Sequence, residues 1–229
     1  MHSQDGNRRK RHIVPKVARA EPGAIARSAH PFHHAEFLTT AADWSQLPAE
    51  GAPEVAFAGR SNAGKSSAIN ALANHTRLAF VSKTPGRTQH INFFRLKSGA
   101  LLADLPGYGY AKVPLEMRRY WQQFLARYLG EREVLAGLVL VVDARRTLTE
   151  LDRRMIEWFL PRGRSLHILM TKSDKLSTSE QRRGLESVRR ALNEDYGIYS
   201  AQTGVQLFSA IPRSGLAEAE AAIAPWLAP

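Results

Sequence analysis

Residues Gly59 to Ser66 read GRSNAGKS. Two glycines five apart, followed by a lysine and a serine, suit the curling of backbone N–H groups around phosphate oxygens. Lys65 would reach the outer phosphates and the Ser66 hydroxyl would hold Mg²⁺. Gly59, Arg60, Ser61, Asn62, Ala63, Gly64, Lys65, Ser66 and Ser67 are therefore candidate contacts to a nucleotide. A second stretch, DLPGYGY, runs from Asp104 to Tyr110 after the apolar run ALL. Asp104 suits a Mg²⁺ ion bound through a coordinated water. Gly107 leaves an N–H free to donate to a terminal phosphate, a bond lost when that phosphate departs. Alone, Pro106 and Gly107 would be ordinary turn residues. Downstream of a phosphate loop, the chemical reading is preferred.

A third stretch, TKSD, spans Thr171 to Asp174. Guanine presents two adjacent donors, N1–H and the N2 amine, which one carboxylate accepts together. Adenine offers an acceptor at N1 and no N2 amine, so Asp174 would reject it. The stem of Lys172 can lie along the base. A site that must pair specific donors discriminates by leaving wrong partners unpaired. Ser209 and Ala210, in FSA, place a backbone N–H where guanine O6 could accept it. Short matches of this kind are common, and their weight comes from order and position.

Those stretches need a frame. EVAFAG (54–59) reads as a buried strand, and KSSAINALANH as the helix after the phosphate loop. INFFRL and GALLAD are strands joined by KSG. LEMRRYWQQFLARYL has helical spacing, with Trp121, Phe124, Leu125 and Tyr128 on one face. LAGLVLVVDA is a strand, ELDRRMIEWFL a helix and SLHILMTK a strand. The helix STSEQRRGLESVRRALNEDYG opens at a Ser/Thr cap and closes before Gly197. VQLFSA and GLAEAEAAIAPWL are the last strand and helix. Apolar strands alternating with helices predict an α/β fold, a mostly parallel sheet covered on both faces. Ligands then sit at the carboxyl ends of the strands.

At 229 residues the chain is long enough for one sizeable core, about 70% of its surface being buried on folding. It has no Cys, which excludes disulfides and thiolate metal sites and fits a reducing interior. Its longest apolar run falls short of the ~20 residues that span a bilayer, and the N-terminus lacks the apolar region of a secretory signal. The net charge is +11. Residues 1–20 hold six basic residues and one acidic residue, so +5 sits there and +6 on residues 21–229. Residues 1–35 lack periodicity and read as a disordered basic extension, leaving 36–229 as the folded domain. The basic balance points to phosphate backbones, more than a nucleotide alone requires.

The phosphate loop, the Asp104 motif, TKSD and FSA stand in the order of the G motifs of translation-factor-class GTPases. With SKTPGRTQHINFF and GLVLVVDARRTLTELDRRMIEW beside them, residues 36–229 closely resemble the EngB family of bacterial ribosome-biogenesis GTP-binding proteins. The resemblance implies a three-layer P-loop GTPase fold, a six-stranded sheet with one antiparallel strand. It implies GTP hydrolysis to GDP, with Mg²⁺ as cofactor. It also implies a cytoplasmic monomer, with no membrane contact, acting in assembly of the large ribosomal subunit through that particle or its rRNA, in a family linked to cell division and septation. Thr88, with Gly86 beside it in PGRT, matches the switch threonine whose hydroxyl binds Mg²⁺; Thr84 is a rival. Lys65, Thr88 and Gly107 are then the groups that act on the γ-phosphate, and Ser66, Thr88 and Asp104 the metal set.

Several residues depart from the common pattern. Thr171 stands where many GTPases have Asn, losing one amide bond and implying micromolar nucleotide affinity. Ile211 follows Ser-Ala where Lys is frequent. Tyr108 occupies the position from which a Gln orients the attacking water in Ras-like proteins. A phenol is a poor base at neutral pH, so hydrolysis should be slow until a partner completes the site; the plainer reading has Tyr108 packing against the helix that follows. Asn62 admits two readings, a K⁺ ion beside the phosphates or a tight loop. Arg118, Arg119, Arg127 and Arg132 on one helix, and Arg182, Arg183, Arg189 and Arg190 on another, are candidates for rRNA phosphates. Two rivals remain: a nucleotide-gated RNA- or ribosome-binding module in which hydrolysis is incidental, and an ATP-dependent P-loop kinase, which TKSD disfavours.

Overall fold

A computed structural model of the chain describes residues 30–79, 90–109 and 115–228, of which Leu115, Met117 and Arg118 are described as backbone only. The strands are β1 (Glu36–Ala41), β2 (Glu54–Gly59), β3 (Ile91–Arg95), β4 (Leu101–Asp104), β5 (Leu135–Asp143), β6 (Ser165–Thr171) and β7 (Thr203–Leu207). The helices are α1 (Lys65–Leu72), α2 (Leu115–Glu131), α3 (Glu150–Phe159), α4 (Thr178–Tyr196) and α5 (Leu216–Ile223). One sheet holds the strands in the order β1-β3-β4-β2-β5-β6-β7. Among the described strands, only β3 runs against its neighbours, pairing antiparallel with both β1 and β4.

The sheet therefore has the single reversed strand expected, but seven strands rather than six. The additional one is β1, whose sequence EFLTTA is exposed or half-buried except at Ala41. An edge strand need not be apolar on both faces, so it carries no continuous hydrophobic run. The central strands do. Leu138, Leu140 and Val142 of β5 join one core with Phe124, Tyr128 and Leu129 of α2 and Ile156 of α3. Val139 and Val141 face the other way, joining Ile69 and Leu72 of α1 and Ile223 of α5. Alternate residues of a strand point to opposite faces, so one run of valines and leucines closes both layers.

Local signals set the helix ends. Thr149 and Asp152 form a capping box at the start of α3, and Ser177 and Glu180 one at α4, each satisfying backbone donors that the first turn leaves free. α4 spans the stretch expected of it. The last helix is shorter than expected, since Pro225 turns the chain into a 3₁₀ segment, Ala224–Leu227. Trp226 of that segment covers Gly137 of β5, where an added Cβ would meet the indole at 2.0 Å. Among the described residues, no helix is long and apolar enough to cross a membrane.

Candidate nucleotide site

β2, β4, β5 and β6 all point their carboxyl ends the same way, and the candidate residues collect there. β2 ends at Gly59, so close to β5 that a Cβ would lie 2.6 Å from Val141 O. The loop then turns through two left-handed residues, Asn62 (φ 62°) and Gly64 (φ 101°), before α1 begins at Lys65. Such φ values suit glycine and are tolerated by asparagine. The loop is tied across to the Asp104 segment. Ser61 N donates to Tyr108 O at 3.0 Å, and Tyr108 N to Gly59 O at 3.4 Å. Gly107 lies under this stitch, its missing Cβ 3.4 Å from Ser61 Cα and N.

Asp104 pairs with Phe57 in the register of β4 on β2, as expected for a carboxylate beside the phosphate loop. It is buried and accepts a hydrogen bond from Lys65 Nζ through Oδ1. Ser66 follows Lys65 on the first turn of α1, half-buried, and Ser67 is exposed. A hydroxyl and a carboxylate are hard oxygen donors of the kind Mg²⁺ takes, so these residues fit that ion. Gly86, Thr88 and its rival Thr84 lie outside the described residues. Two buried polar atoms on the loop, Arg60 Nε and Ser61 Oγ, have no hydrogen-bond partner among the described residues. They border a cavity of about 200 Å³ that Asn62, Asp143, Arg145 and Lys172 also line.

The residues expected to recognise a base lie on the other flank. Thr171 is buried at the end of β6, its hydroxyl within bonding reach of Ala63 O and, at 3.1 Å, of Val142 O. The short side chain thus bridges the phosphate loop to the base loop. Lys172 is left-handed (φ 59°) and donates to Asn62 O at 2.5 Å and to Asp143 Oδ2 at 3.0 Å. Asp174 Oδ1 accepts from the Ser209 hydroxyl, and Lys175 Nζ sits 3.1 Å from Oδ2. The Ser209 bond, then Lys175, hold the Asp174 carboxyl below its usual range, so it is an anion at neutral pH. Ser209 N is committed to Ser214 O, so of the two backbone donors expected near guanine O6 it is already used. Ile211 is 87% exposed and covers nothing.

Asp143 escaped the sequence reading. It ends β5, opposite Thr171 of β6, and lies between Lys172 and Arg145, whose Nη2 and Nε donate at 2.6 and 2.8 Å. The Arg145 bonds, with Lys172 adding, hold its carboxyl far below the ordinary range in spite of burial. The one available signal was a carboxylate closing an apolar strand, the same pattern that marks Asp104.

Tyr108 packs against the core cluster to which both α2 and α3 contribute. Its hydroxyl donates to Asp152 Oδ1 at 2.5 Å, while Oδ2 of Asp152 receives Thr149 N and Oγ1 at 2.8 and 2.7 Å. The hydroxyl is thus tied to the α3 cap. Burial, then the Asp152 charge, push its phenol well above the usual value, so it stays protonated. One arginine also leaves the proposed basic face: Arg132 is 3% exposed, buried against Glu54. Arg127 is exposed but pairs with Glu131 and stacks over Trp44, 4.1 Å from its ring centroid.

A phosphate loop with its lysine on the aspartate of the neighbouring strand, and a TKSD loop beside it on a sheet of this order, define a P-loop GTPase. A family model described as "50S ribosome-binding GTPase" matches residues 54–172. Curated relatives give the finer grouping. A "Probable GTP-binding protein EngB" of Aromatoleum aromaticum is 58% identical over 196 residues, covering 86% of this chain and 89% of the relative. Its counterpart in Azoarcus sp. is 56% identical over 198 residues, covering 86% and 93%. The chain belongs to the EngB family of GTP-binding proteins. A solved structure, "Crystal structure of a probable GTP-binding protein engB", shares the fold at TM-score 0.61 and 20% identity, covering 76% of this chain and 98% of that one.

Proposed function

We propose that the chain is a guanine-nucleotide switch in the assembly of the large ribosomal subunit, hydrolysing GTP slowly until a partner completes its site. One observation carries the switch: the phosphate loop and the Gly107–Tyr108 segment are hydrogen-bonded to each other, so a γ-phosphate seated by Lys65 is felt directly by the chain that follows β4. Ser66, Thr88 and, through a water, Asp104 would hold Mg²⁺, which neutralises phosphate charge when bound. Asp174, Lys172 and Ala210 would select guanine. Moving a partner-binding surface from mostly closed to mostly open takes about 5.5 kcal/mol of differential binding. Two charge-assisted bonds, from Thr88 and Gly107, supply about 1.5–3 kcal/mol each.

The slow rate follows from Tyr108, whose hydroxyl is engaged by Asp152 and protonated, so it offers no base to the attacking water. The partner follows from three supports. The matched family model is described as ribosome-binding. A structurally similar GTPase, Era, was solved with nucleotides 1506–1542 of 16S rRNA, at TM-score 0.56 and 19% identity over 77% of this chain and 57% of that one; 16S being the small-subunit RNA, this supports an rRNA partner and not the choice of subunit. And α4 exposes Arg182, Arg183, Arg189 and Arg190, a basic face suited to rRNA phosphates. Such a protein would act as a monomer in the bacterial cytoplasm.

The test is single-turnover hydrolysis of GTP with and without large-subunit particles. Acceleration by the particles supports the switch; a free enzyme already turning over at about one per second overturns it. Particles that co-sediment equally with the GTP-like and GDP states would leave binding without a switch. Rates in KCl and NaCl at equal ionic strength decide whether Asn62 recruits K⁺: equal rates exclude it.

A further inference from the structure

We propose that His30, His33 and Glu220 form a binding site for a divalent transition-metal ion of the Zn²⁺ class, clipping the segment before β1 to α5. Their ligand atoms lie within 4.8 Å of one another. His30 Nδ1 is 2.9 Å from Glu220 Oε2, and the two imidazoles stack at 4.4 Å between centroids. Spacing explains why they meet: a turn closed by His33 N on His30 O at 3.0 Å puts residues three apart on one side. Phe32, fully buried in the same core cluster as Ala219 and Ile223 of α5, pins that turn against the helix carrying Glu220.

Two imidazole nitrogens and a carboxylate oxygen, with water in the fourth position, are a donor set that Zn²⁺ accepts in tetrahedral form. Mg²⁺ prefers an all-oxygen shell, so the ion required by the nucleotide does not compete. The Glu220 side chain is 13% exposed and that of His30 61%, so His30 can swing to close the set. Ligation needs neutral imidazoles.

The test uses the full chain, freed of metal by a chelator and saturated with Mg²⁺-GDP, titrated with ZnCl₂ in a calorimeter. One equivalent should bind, and a ZnCl₂ concentration ten times Kd should raise Tm by about 3–5 °C. His33→Ala and Glu220→Gln should each weaken Zn²⁺ at least tenfold, while His75→Ala, on an exposed histidine elsewhere, changes nothing. Unaltered GDP affinity in the variants certifies that they are folded. No heat with Zn²⁺, Zn²⁺ heat unchanged in both variants, or displacement of Zn²⁺ by equimolar Mg²⁺ would each overturn the site.

Discussion

Strand β2 enters the sheet beside one set of charges and leaves it beside another. At its start, Glu54 is 0% exposed. It accepts from Arg132 Nη2 at 2.5 Å, Arg132 Nε at 3.2 Å and Tyr128 OH at 3.0 Å. Arg132 spends its remaining donors on Pro48 O at 2.7 Å and Glu50 at 3.2 Å. At the other end, Lys65 sits on Asp104, and Lys172 on Asp143 beside a cavity that two buried polar atoms without a partner among the described residues also line. The first set is closed: each charge is consumed by another part of the chain. In the second, a phosphate or a base can take over one partner of each pair. Burial of ions is shared by both, and Arg164 Nη1 near Tyr128 is also buried without a partner among the described residues; what marks the nucleotide end is that its unpartnered atoms border a cavity.

If that contrast is right, breaking the closed set should damage the fold and spare the chemistry. Glu54→Ala leaves the Arg132 guanidinium buried without its main counter-ion, which costs about 3–5 kcal/mol. At ~2–4 °C per kcal/mol for a chain of this size, thermal unfolding should fall by roughly 10–15 °C. The fraction that remains folded should bind GDP with unchanged affinity, read by calorimetry well below the transition. A Tm within 3 °C of the parent would mean that the network is not what holds this end.

Lys65→Ala is the mirror experiment. The lysine pairs with Asp104, and the buried carboxylate it leaves behind is one that Mg²⁺ would take as a partner, so with Mg²⁺-nucleotide present the protein should lose less stability than Glu54→Ala does. The phosphates lose a charge-assisted partner worth about 1.5–3 kcal/mol, a drop in GTP affinity of roughly 10- to 150-fold. Loss of the fold together with binding would erase the distinction between the two ends.

The same contrast shows which parts of the site a sequence can display. Lys65, Asp104 and Asp174 could be singled out because near neighbours mark them: a glycine loop, an apolar run ending in a carboxylate, a short motif after a strand. Asp143 was not. In DARR it reads as the start of a solvated turn, and its role exists only because β5 pairs with β6 in a register that sets it beside Thr171 and hence Lys172. Arg132 misled for a related reason. Spacing along α2 placed it on a basic face, but it lies just past the helix end, where the chain passes under β2 and Glu54 claims it. β1 was passed over because half-buried edge strands need no hydrophobic run. The helix cap at Ser177 and the alternation of strands and helices along the chain followed from local pattern and needed no such long-range pairing.

Asp143 sharpens the comparison within the open end itself. Asp143→Asn keeps the shape but removes the charge that fixes Lys172 against the phosphate loop. Nucleotide affinity should fall about tenfold, about 1.4 kcal/mol. If Lys172 serves the base, as proposed, GTP and GDP should weaken equally. A loss confined to GTP would place Asp143 on the γ-phosphate side instead.

The smallest effect tests where the two halves of the open end meet. Tyr108→Phe deletes one hydroxyl and keeps the ring that packs over the α3 cap. Asp152 retains both bonds to Thr149, so the cap survives and stability should drop by about 0.5–1.5 kcal/mol. Hydrolysis in a single turnover should stay within twofold of the parent, because a hydroxyl already given to Asp152 has no proton to take from water. A tenfold fall in rate at unchanged GTP affinity would show that the phenol reaches the reacting water after all, and that Asp152 holds it ready rather than out of the way.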